Sequence, residues 1–429
     1  MKNFLPAILI TLLLSSCSQG KKTIVDAAYT DSLVAHYTEP AAIKLNASEL
    51  NFWKSRIDPQ HPGISNELKY AAMLQMRFGM LGNINDLAEA DSVLRSVDNA
   101  YGHKESSIQV ALARLAMTQH RFAVSDSLLE AARKTGLRPS ESMPASFDVD
   151  FEHARLLLAT SDLKQMNSPN DYGYYFRSAK LAHYNGDLDS SIRSMQKAVD
   201  LSGNDISLKQ AALSNLADLY LHDGDLQKAY TLYRGSVALD PADLHSIMGI
   251  GWIALVHDNN NALAEKIFRF VHSRTASPEP LFKLVQVMMA AKDTASAIGY
   301  AKAFEQQVTA PAYGGMYNKY LLQLYTGVLN EPAKAEAIAA QELSNRSTPQ
   351  TWAWYSWALL AGKQADKAYE MYRQHVSGKP LESLELYWMG KLMQELNKGY
   401  NANQFFNAAW KNRYDLNPAY VNDLKKLRA

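Results

Sequence analysis

The chain has 429 residues, 47% hydrophobic and 20% charged, enough apolar content for two or three cores or one long repeat array, and too much for a disordered chain. Lys and Arg number 44 against 43 Asp and Glu, a formal charge of +1, so no cationic excess exists to neutralise a phosphate backbone and nucleic acid is not expected as a partner. A single cysteine forms neither an internal disulfide nor a thiolate metal site, which leaves packing to supply stability.

Residues 1–17 read MKNFLPAILITLLLSSC. The apolar run from Phe4 to Leu14 is shorter than the roughly 20 residues of a membrane-spanning helix and suits the h-region of an export signal behind the basic Lys2. Leu14-Ser15-Ser16-Cys17 resembles the lipobox of bacterial lipoproteins. That resemblance implies a signal peptide over 1–16, removed so that Cys17 becomes a lipid-bearing N-terminus, and a lipidated tether over 17–23. Each buried CH₂ contributes about 0.8 kcal/mol, so several acyl chains on one residue anchor a protein that one chain would hold only marginally. Ser18 stands where an inner-membrane retention signal usually carries Asp, and Ser18–Thr23 lacks the acidic cluster of some surface-exported lipoproteins. The expected location is therefore the bacterial outer membrane, lipid-anchored and facing the periplasm. The alternative is an ordinary cleaved signal in which the cysteine is coincidental. No later stretch reaches spanning length.

Residues 24–65 are irregular, interrupted by Pro40, Pro59 and Pro62. A helix is expected over Ala47–Ile57, capped by Asn46 or Ser48, and the whole segment is read as an N-terminal helical cap. Asn46-Ala47-Ser48 also fits a glycosylation sequon, of little meaning in a bacterial lipoprotein.

From about residue 66 apolar residues recur at three- and four-residue intervals between short Gly/Asp/Asn turns, the signature of helices, and no stretch alternates with period two. Leu213-x-x-Leu216-Ala217-x-x-Tyr220-x-x-x-Gly224-Asp225-x-x-x-Ala229-x-x-x-Tyr233-x-x-Ser236-x-x-x-x-Pro241 resembles the tetratricopeptide repeat, with Leu213 at its position 4, Ala217 at 8, Ala229 at 20, Tyr233 at 24, Ser236 at 27 and Pro241 at 32. Small residues at position 20 recur at Ala90, Ser125, Ser191, Ala229, Ala264, Ala297, Ala333, Ala368 and Ala402, with gaps of 35, 66, 38, 35, 33, 36, 35 and 34. The gap of 66 leaves room for a degenerate copy between Pro139 and Asn170. A large residue usually follows four positions later, as at Leu94, Leu129, Met195, Tyr233, Phe268, Tyr372 and Phe406, with Ala301 and Ala337 weaker.

Positions 4, 8 and 11 fall on one stripe of a first helix and 20, 24 and 27 on one stripe of a second. A small residue at 8 or 20 lets the paired backbones approach, and stacking pairs buries a continuous core. The resemblance implies an all-α fold, an α-α superhelix of about ten helix pairs over 66–416, closed by a C-terminal capping helix over 417–429.

Motifs for chemistry are read as packing. Gly249-Ile250-Gly251-Trp252-Ile253-Ala254 fits a dinucleotide fingerprint, but that needs a preceding strand and a later acidic residue, and Gly251 and Ala254 here hold positions 8 and 11. Ser161-x-x-Lys164 and Ser194-x-x-Lys197 match a nucleophile–base spacing without companion motifs. Asp148-x-Asp150-x-Glu152 lacks the glycine and distal Glu of a calcium loop and reads as an acidic helix start. The eleven histidines include no HExxH or His-x-x-x-His pair. No catalytic residue, cofactor or metal is therefore expected, and the chain is read as a non-enzyme.

With the core on positions 4, 8 and 11, positions 5, 9 and 12 form a stripe turned by about 100°, which tetratricopeptide proteins similarly present, with position 13, along a concave wall. This assigns Phe176, Lys180, His183 and Tyr184, then Asp218 and His222, Trp252, Phe282, Tyr325, Trp357, Tyr387 and Lys391 to a partner-binding groove. Aromatic residues with mixed charges suit an interaction surface; the other reading is that some rings fill gaps between repeats. Trp352, Trp354, Tyr355 and Trp388 are assigned to packing. The function expected is a lipid-anchored scaffold or adaptor of the cell envelope binding a protein or peptide. The alternative is an outer-membrane glycan-binding lipoprotein on tetratricopeptide-like helices, though the contiguous repeats leave no room for the long loops of such sites.

Overall fold

The computed structural model describes residues 22–166, 168–397 and 402–428; the expected signal peptide and Cys17 lie outside them. Among the described residues the chain is helical throughout, without a strand. Ten antiparallel pairs follow one another: Ser65–Leu81 with Ile84–Ala100, Ser106–Thr118 with Phe122–Lys134, Pro139–Glu152 with Leu156–Gln165, Tyr172–Tyr184 with Leu188–Leu201, and Ile206–Asp223 with Leu226–Leu239. Then come Leu244–Val256 with Asn261–His272, Glu279–Ala290 with Thr294–Val308, Asn318–Thr326 with Pro332–Asn345, Pro349–Ala361 with Ala365–Met371, and Ser383–Leu396 with Ala402–Lys411. The third pair is the degenerate copy expected between Pro139 and Asn170, and Ala159 is its buried small residue. A last helix, Pro418–Leu427, ends the described chain. Among the described residues no helix is long and apolar enough to cross a membrane.

The turn inside each pair has one chemistry. Residues 82, 120, 154, 186, 224, 259, 292, 330, 363 and 397 all have positive φ. After each of the first nine comes the N-cap residue of the second helix, whose side chain accepts a backbone N–H where it is Asn83, Asp187, Asp225, Asn260 or Asp293. Only three of the ten are glycines, so the turn is regular in backbone but not in sequence. Counting four residues on from the N-cap reaches the buried small residue: Ser125, Ala159, Ser191, Ala229, Ala264, Ala297, Ala335 and Ala368. The eighth copy differs from expectation: Ala333 and Ala337 are exposed, while Ala335 and Ala339 are buried, because this helix starts at Pro332 after the N-cap Glu331. Gly251 shows why position 8 is small. A Cβ there would lie 2.9 Å from Ile267 Cγ2 and Phe268 Cε1, so the glycines of the apparent dinucleotide fingerprint serve helix contact.

The N-terminal segment divides in two. Its second part is the helix Ala41–Lys54, which packs on Ser65–Leu81 and starts earlier than expected, after Pro40; Asn46 lies inside it, buried, donating from Nδ2 to Met73 O. The first part lies elsewhere. The amides of Ile24 and Val25 donate to the Asp258 carboxylate, each at 2.9 Å, that of Asp26 to Tyr230 Oη at 3.1 Å, and Lys266 pairs with Asp31 at 2.6 Å. Residues 24–35 thus dock on the fifth and sixth pairs rather than on the solenoid's end.

The superhelix closes on itself. Thr275 Oγ1 and Ala276 N both donate to Leu81 O, at 2.9 and 2.8 Å. Gln119 Nε2 donates to Ala312 O at 2.7 Å and Gly315 N to Gln119 O at 3.1 Å. Arg346 pairs with Glu152 at 2.6 Å, and His222 Nδ1 with Asp415 Oδ2 at 2.6 Å. The side-chain contacts of Thr275, Gln119, Arg346 and His222 each span 193 or 194 residues, so the second turn rests on the first one superhelical period later.

Two glycines test this seam. Gly82 (φ +69°) and Gly102 (φ +62°) are both left-handed, but a Cβ on Gly82 would meet Ser277 N at 2.5 Å, whereas one on Gly102 meets nothing within 4 Å. Gly102→Ala should cost about 1 kcal/mol for the left-handed backbone alone; Gly82→Ala should cost about 3 kcal/mol or more, because it also forces the two turns apart. Denaturant unfolding of both variants measures the difference.

Candidate functional site

The first helices of consecutive pairs line the superhelix axis. Tyr172–Tyr184 contributes Lys180 and His183, Ile206–Asp223 contributes Asp218 and His222, and Leu244–Val256 contributes Trp252, each at helical spacing on one face. Glu279–Ala290 adds Phe282, Lys283 and Gln286, and Asn318–Thr326 adds Lys319, Tyr320 and Gln323. The other wall comes from one superhelical period later: Glu382–Leu384 and Asp415–Leu416. The cleft between the two walls measures about 590 Å³, within the range of small-ligand sites.

The chain's own C-terminal segment forms part of this wall. Asn412 Nδ2 donates to His222 O at 2.8 Å, and Trp252 Nε1 donates to Tyr414 O at 2.7 Å. Trp252 is consequently almost fully buried. Polar groups nevertheless face the cavity without full compensation. The Lys283 ammonium sits 4.1 Å over the Trp252 ring, and burial lowers its pKa, opposed by the charges of Glu279, Asp218 and Asp415. Gln286 Oε1 is buried with no hydrogen-bond partner among the described residues. Asp218 accepts from Tyr233 Oη and pairs with His245 Nε2 at 2.9 Å. Lys319, by contrast, is neutralised by Glu385 at 2.7 Å.

Of the residues expected in a groove, Lys180, His183, Asp218, His222, Trp252 and Phe282 surround this cavity. Phe176 lines an adjacent recess of about 550 Å³ with Lys180 and His120. Tyr184 lies beside a third space of about 240 Å³, its ring edge-on to Phe151 at 5.7 Å. The remaining four are engaged within the chain. Tyr325 is buried with its hydroxyl donating to Glu305 at 2.7 Å. Trp357 stacks on Trp388 at 5.4 Å and donates to Thr326 Oγ1 at 2.9 Å. Tyr387 donates to Asp423 at 2.7 Å and Lys391 lies 3.6 Å from the same carboxylate, both tied to the terminal helix.

Sequence reasoning missed Lys283, Gln286, Lys319, Tyr320, Glu382 and Asp415. Gln286 could have been found, since it stands four residues after Phe282 on the same stripe. Tyr320 was hidden by the two-residue slip that put Ala333 at position 20 and so brought Tyr325 onto the inner stripe. Glu382 and Asp415 come from the second turn and carry no local signal.

His245 offers a direct check on the site's electrostatics. The Asp218 charge, then its hydrogen bond, outweigh burial and push the imidazole pKa up to about 9. A raised pKa means that protonation favours the folded state below the ordinary histidine value near 6.5 and that this contribution is lost as pH rises through about 9. His245 should therefore be charged at pH 7, with its NMR titration midpoint near 9, and Asp218→Asn should lower that midpoint; an unchanged midpoint would contradict the assigned pairing.

Comparison with known proteins bears on the repeats. The tetratricopeptide-repeat family model matches residues 172–205 and 211–243, the fourth and fifth pairs. Among solved structures, a tetratricopeptide repeat protein from Parabacteroides merdae is similar at 14% identity over 60% of this chain and 98% of its own, with a TM-score of 0.36. The Cut9–Hcn1 hetero-tetramer of the APC/C is similar at 13% identity, covering 94% of this chain and 69% of that one, with a TM-score of 0.46. The human IFIT1 dimer with PPP-AAAA gives 11%, 76% of each chain and 0.42. Scores below 0.5 at such identities carry no inference about function. A search of curated sequences finds no match. Residues 172–205 and 211–243 are thus matched as tetratricopeptide repeats, and the ten described helix pairs share their two-helix design.

Proposed function

We propose that this protein is a non-enzymatic, lipid-anchored scaffold of the bacterial cell envelope that takes a short segment of a partner protein into the cavity on its superhelix axis. Tetratricopeptide repeats suggest protein interaction as the general role. The observation that carries the finer reading is a pair of polar groups on the seventh pair: the half-buried Lys283 ammonium, which lies over Trp252 and has no ion pair among the described residues, and the buried Gln286 Oε1 one turn away, which has no hydrogen-bond partner among them. Leaving the Gln286 oxygen unpaired is costly; a peptide offers it a backbone N–H once the side chain turns toward the cavity, and offers Lys283 a carboxylate or carbonyl oxygen. Phe282 and Tyr320, 4.5 Å apart, offer an apolar surface beside them. Connections between pairs are short, which disfavours a glycan site built from inserted loops.

The anchor rests on the lipobox resemblance of Leu14–Cys17. Cys17→Ala should move the protein from the membrane fraction to the soluble one, and labelling with a fatty acid should be lost with it; continued labelling in the variant would remove the anchor from this reading.

Binding is tested by passing envelope extract and a glycan array over the purified protein. Capture of a defined partner whose affinity falls about tenfold or more in Lys283→Gln, as expected for losing a charge-assisted hydrogen bond, supports the proposal. Glycan retention with no protein partner, or a partner held equally well by Lys283→Gln, overturns it. Lys283→Gln is preferable to a change at Trp252, whose indole also holds Tyr414.

A further inference from the structure

The seam between superhelical turns brings together side chains that sequence spacing keeps far apart. His183, from Tyr172–Tyr184, and His222, from Ile206–Asp223, present their rings 4.6 Å apart at 72°. Glu382, the residue preceding Ser383–Leu396, reaches them from the second turn, and one donor atom of each of the three lies within 4.8 Å of the others. We propose that His183, His222 and Glu382 form a binding site for a divalent transition metal of the zinc type, clasping the first superhelical turn to the second.

Two imidazoles and one carboxylate are the donor set of zinc-like ions, whereas calcium and magnesium prefer oxygen throughout. Ligands at about 2.0–2.2 Å from zinc require the three groups to draw somewhat closer than they stand here, by side-chain rotation. A second, independent feature is the Asp415 carboxylate, 2.6 Å from His222 Nδ1. It makes that nitrogen a hydrogen-bond donor, so Nε2 is the atom left to ligate once an ion displaces its proton, the carboxylate–histidine arrangement found behind ligating imidazoles. Asn412 Nδ2, bonded to His222 O at 2.8 Å, holds the same helix end in place. His183, His222 and Glu382 all border both the axial cavity and the smaller space beside Tyr184, so an ion has a route in. It would also keep one open position for water or for a donor atom of a bound segment. Because two ligands come from one turn and the third from the next, binding should stabilise the closed superhelix through linkage. This site does not depend on the peptide-binding reading; Lys283 and Gln286 take no part in it.

The test uses the untagged full-length chain, purified in detergent and stripped with EDTA, titrated with Co²⁺ and then with Zn²⁺. One equivalent of Co²⁺ should give the visible absorption of a low-coordinate nitrogen–oxygen site, and Zn²⁺ should displace it and raise the unfolding temperature. His183→Ala should abolish the spectrum and the thermal shift, and Asp415→Asn should weaken binding about 10- to 100-fold. Glu382→Gln, close in shape to the native residue, should weaken it at least about tenfold and covers the case in which the histidine variant unfolds. Absence of the Co²⁺ spectrum at stoichiometric concentration, or binding of unchanged strength in the Glu382 and Asp415 variants, overturns the assignment.

Discussion

What fixes the form of this protein is the tight winding of its superhelix, so tight that backbone groups of one turn hydrogen-bond to the next. Leu81 O, Gln119 O and His222 O each receive a donor from about one period further along the chain. A net hydrogen bond is worth only about 1 kcal/mol, so no single contact closes the turn. Several act together, with the Arg346–Glu152 pair and the Cβ-free surface of Gly82 among them. In an open solenoid each pair touches only its neighbours; here, contacts between distant pairs join local stacking, and unfolding should be correspondingly more cooperative.

The axial cavity follows from that closure. Its first wall is the inner stripe of consecutive first helices, and its second wall is supplied by Glu382–Leu384 and Asp415–Leu416 from the following turn. A concave trough thereby gains a second wall and becomes a cleft still open to solvent, with charged groups of both turns facing it. Beside the cleft, the Asp218 carboxylate raises the pKa of His245, and burial lowers that of Lys283. The chain's own residues 412–416 complete the wall, so access to the cavity depends on how the C-terminal segment and the seam hold together.

The repeat architecture was legible in the sequence because it rests on short-range rules. Small residues recur where paired helices cross, and even the degenerate third pair was located by its spacing. The register failed where a rule depended on a turn. At Glu331-Pro332 the helix begins two residues later than the neighbouring repeats suggested, which displaced Ala335 and with it Tyr320. The docking of Ile24 and Val25 on Asp258 and the seam itself were invisible for a different reason. They depend on rotation accumulated over several pairs, and many of the groups that meet are backbone atoms, Leu81 O and Ala276 N among them, which leave no mark on side-chain chemistry. The site was accordingly half readable: Lys180, His183, Asp218, His222 and Trp252 from the inner stripe, but not Glu382 or Asp415, which the next turn delivers.

Closure between turns is tested most directly by native-state amide hydrogen exchange at Ala276 and Gly315. Both donate to carbonyls of the first turn, Leu81 and Gln119, and both lie in connections outside the regular helices. The closed superhelix predicts slow exchange at these two amides, comparable to that of the helices around them. Fast exchange there, with the ten helix pairs still protected, would show an open solenoid and contradict the account.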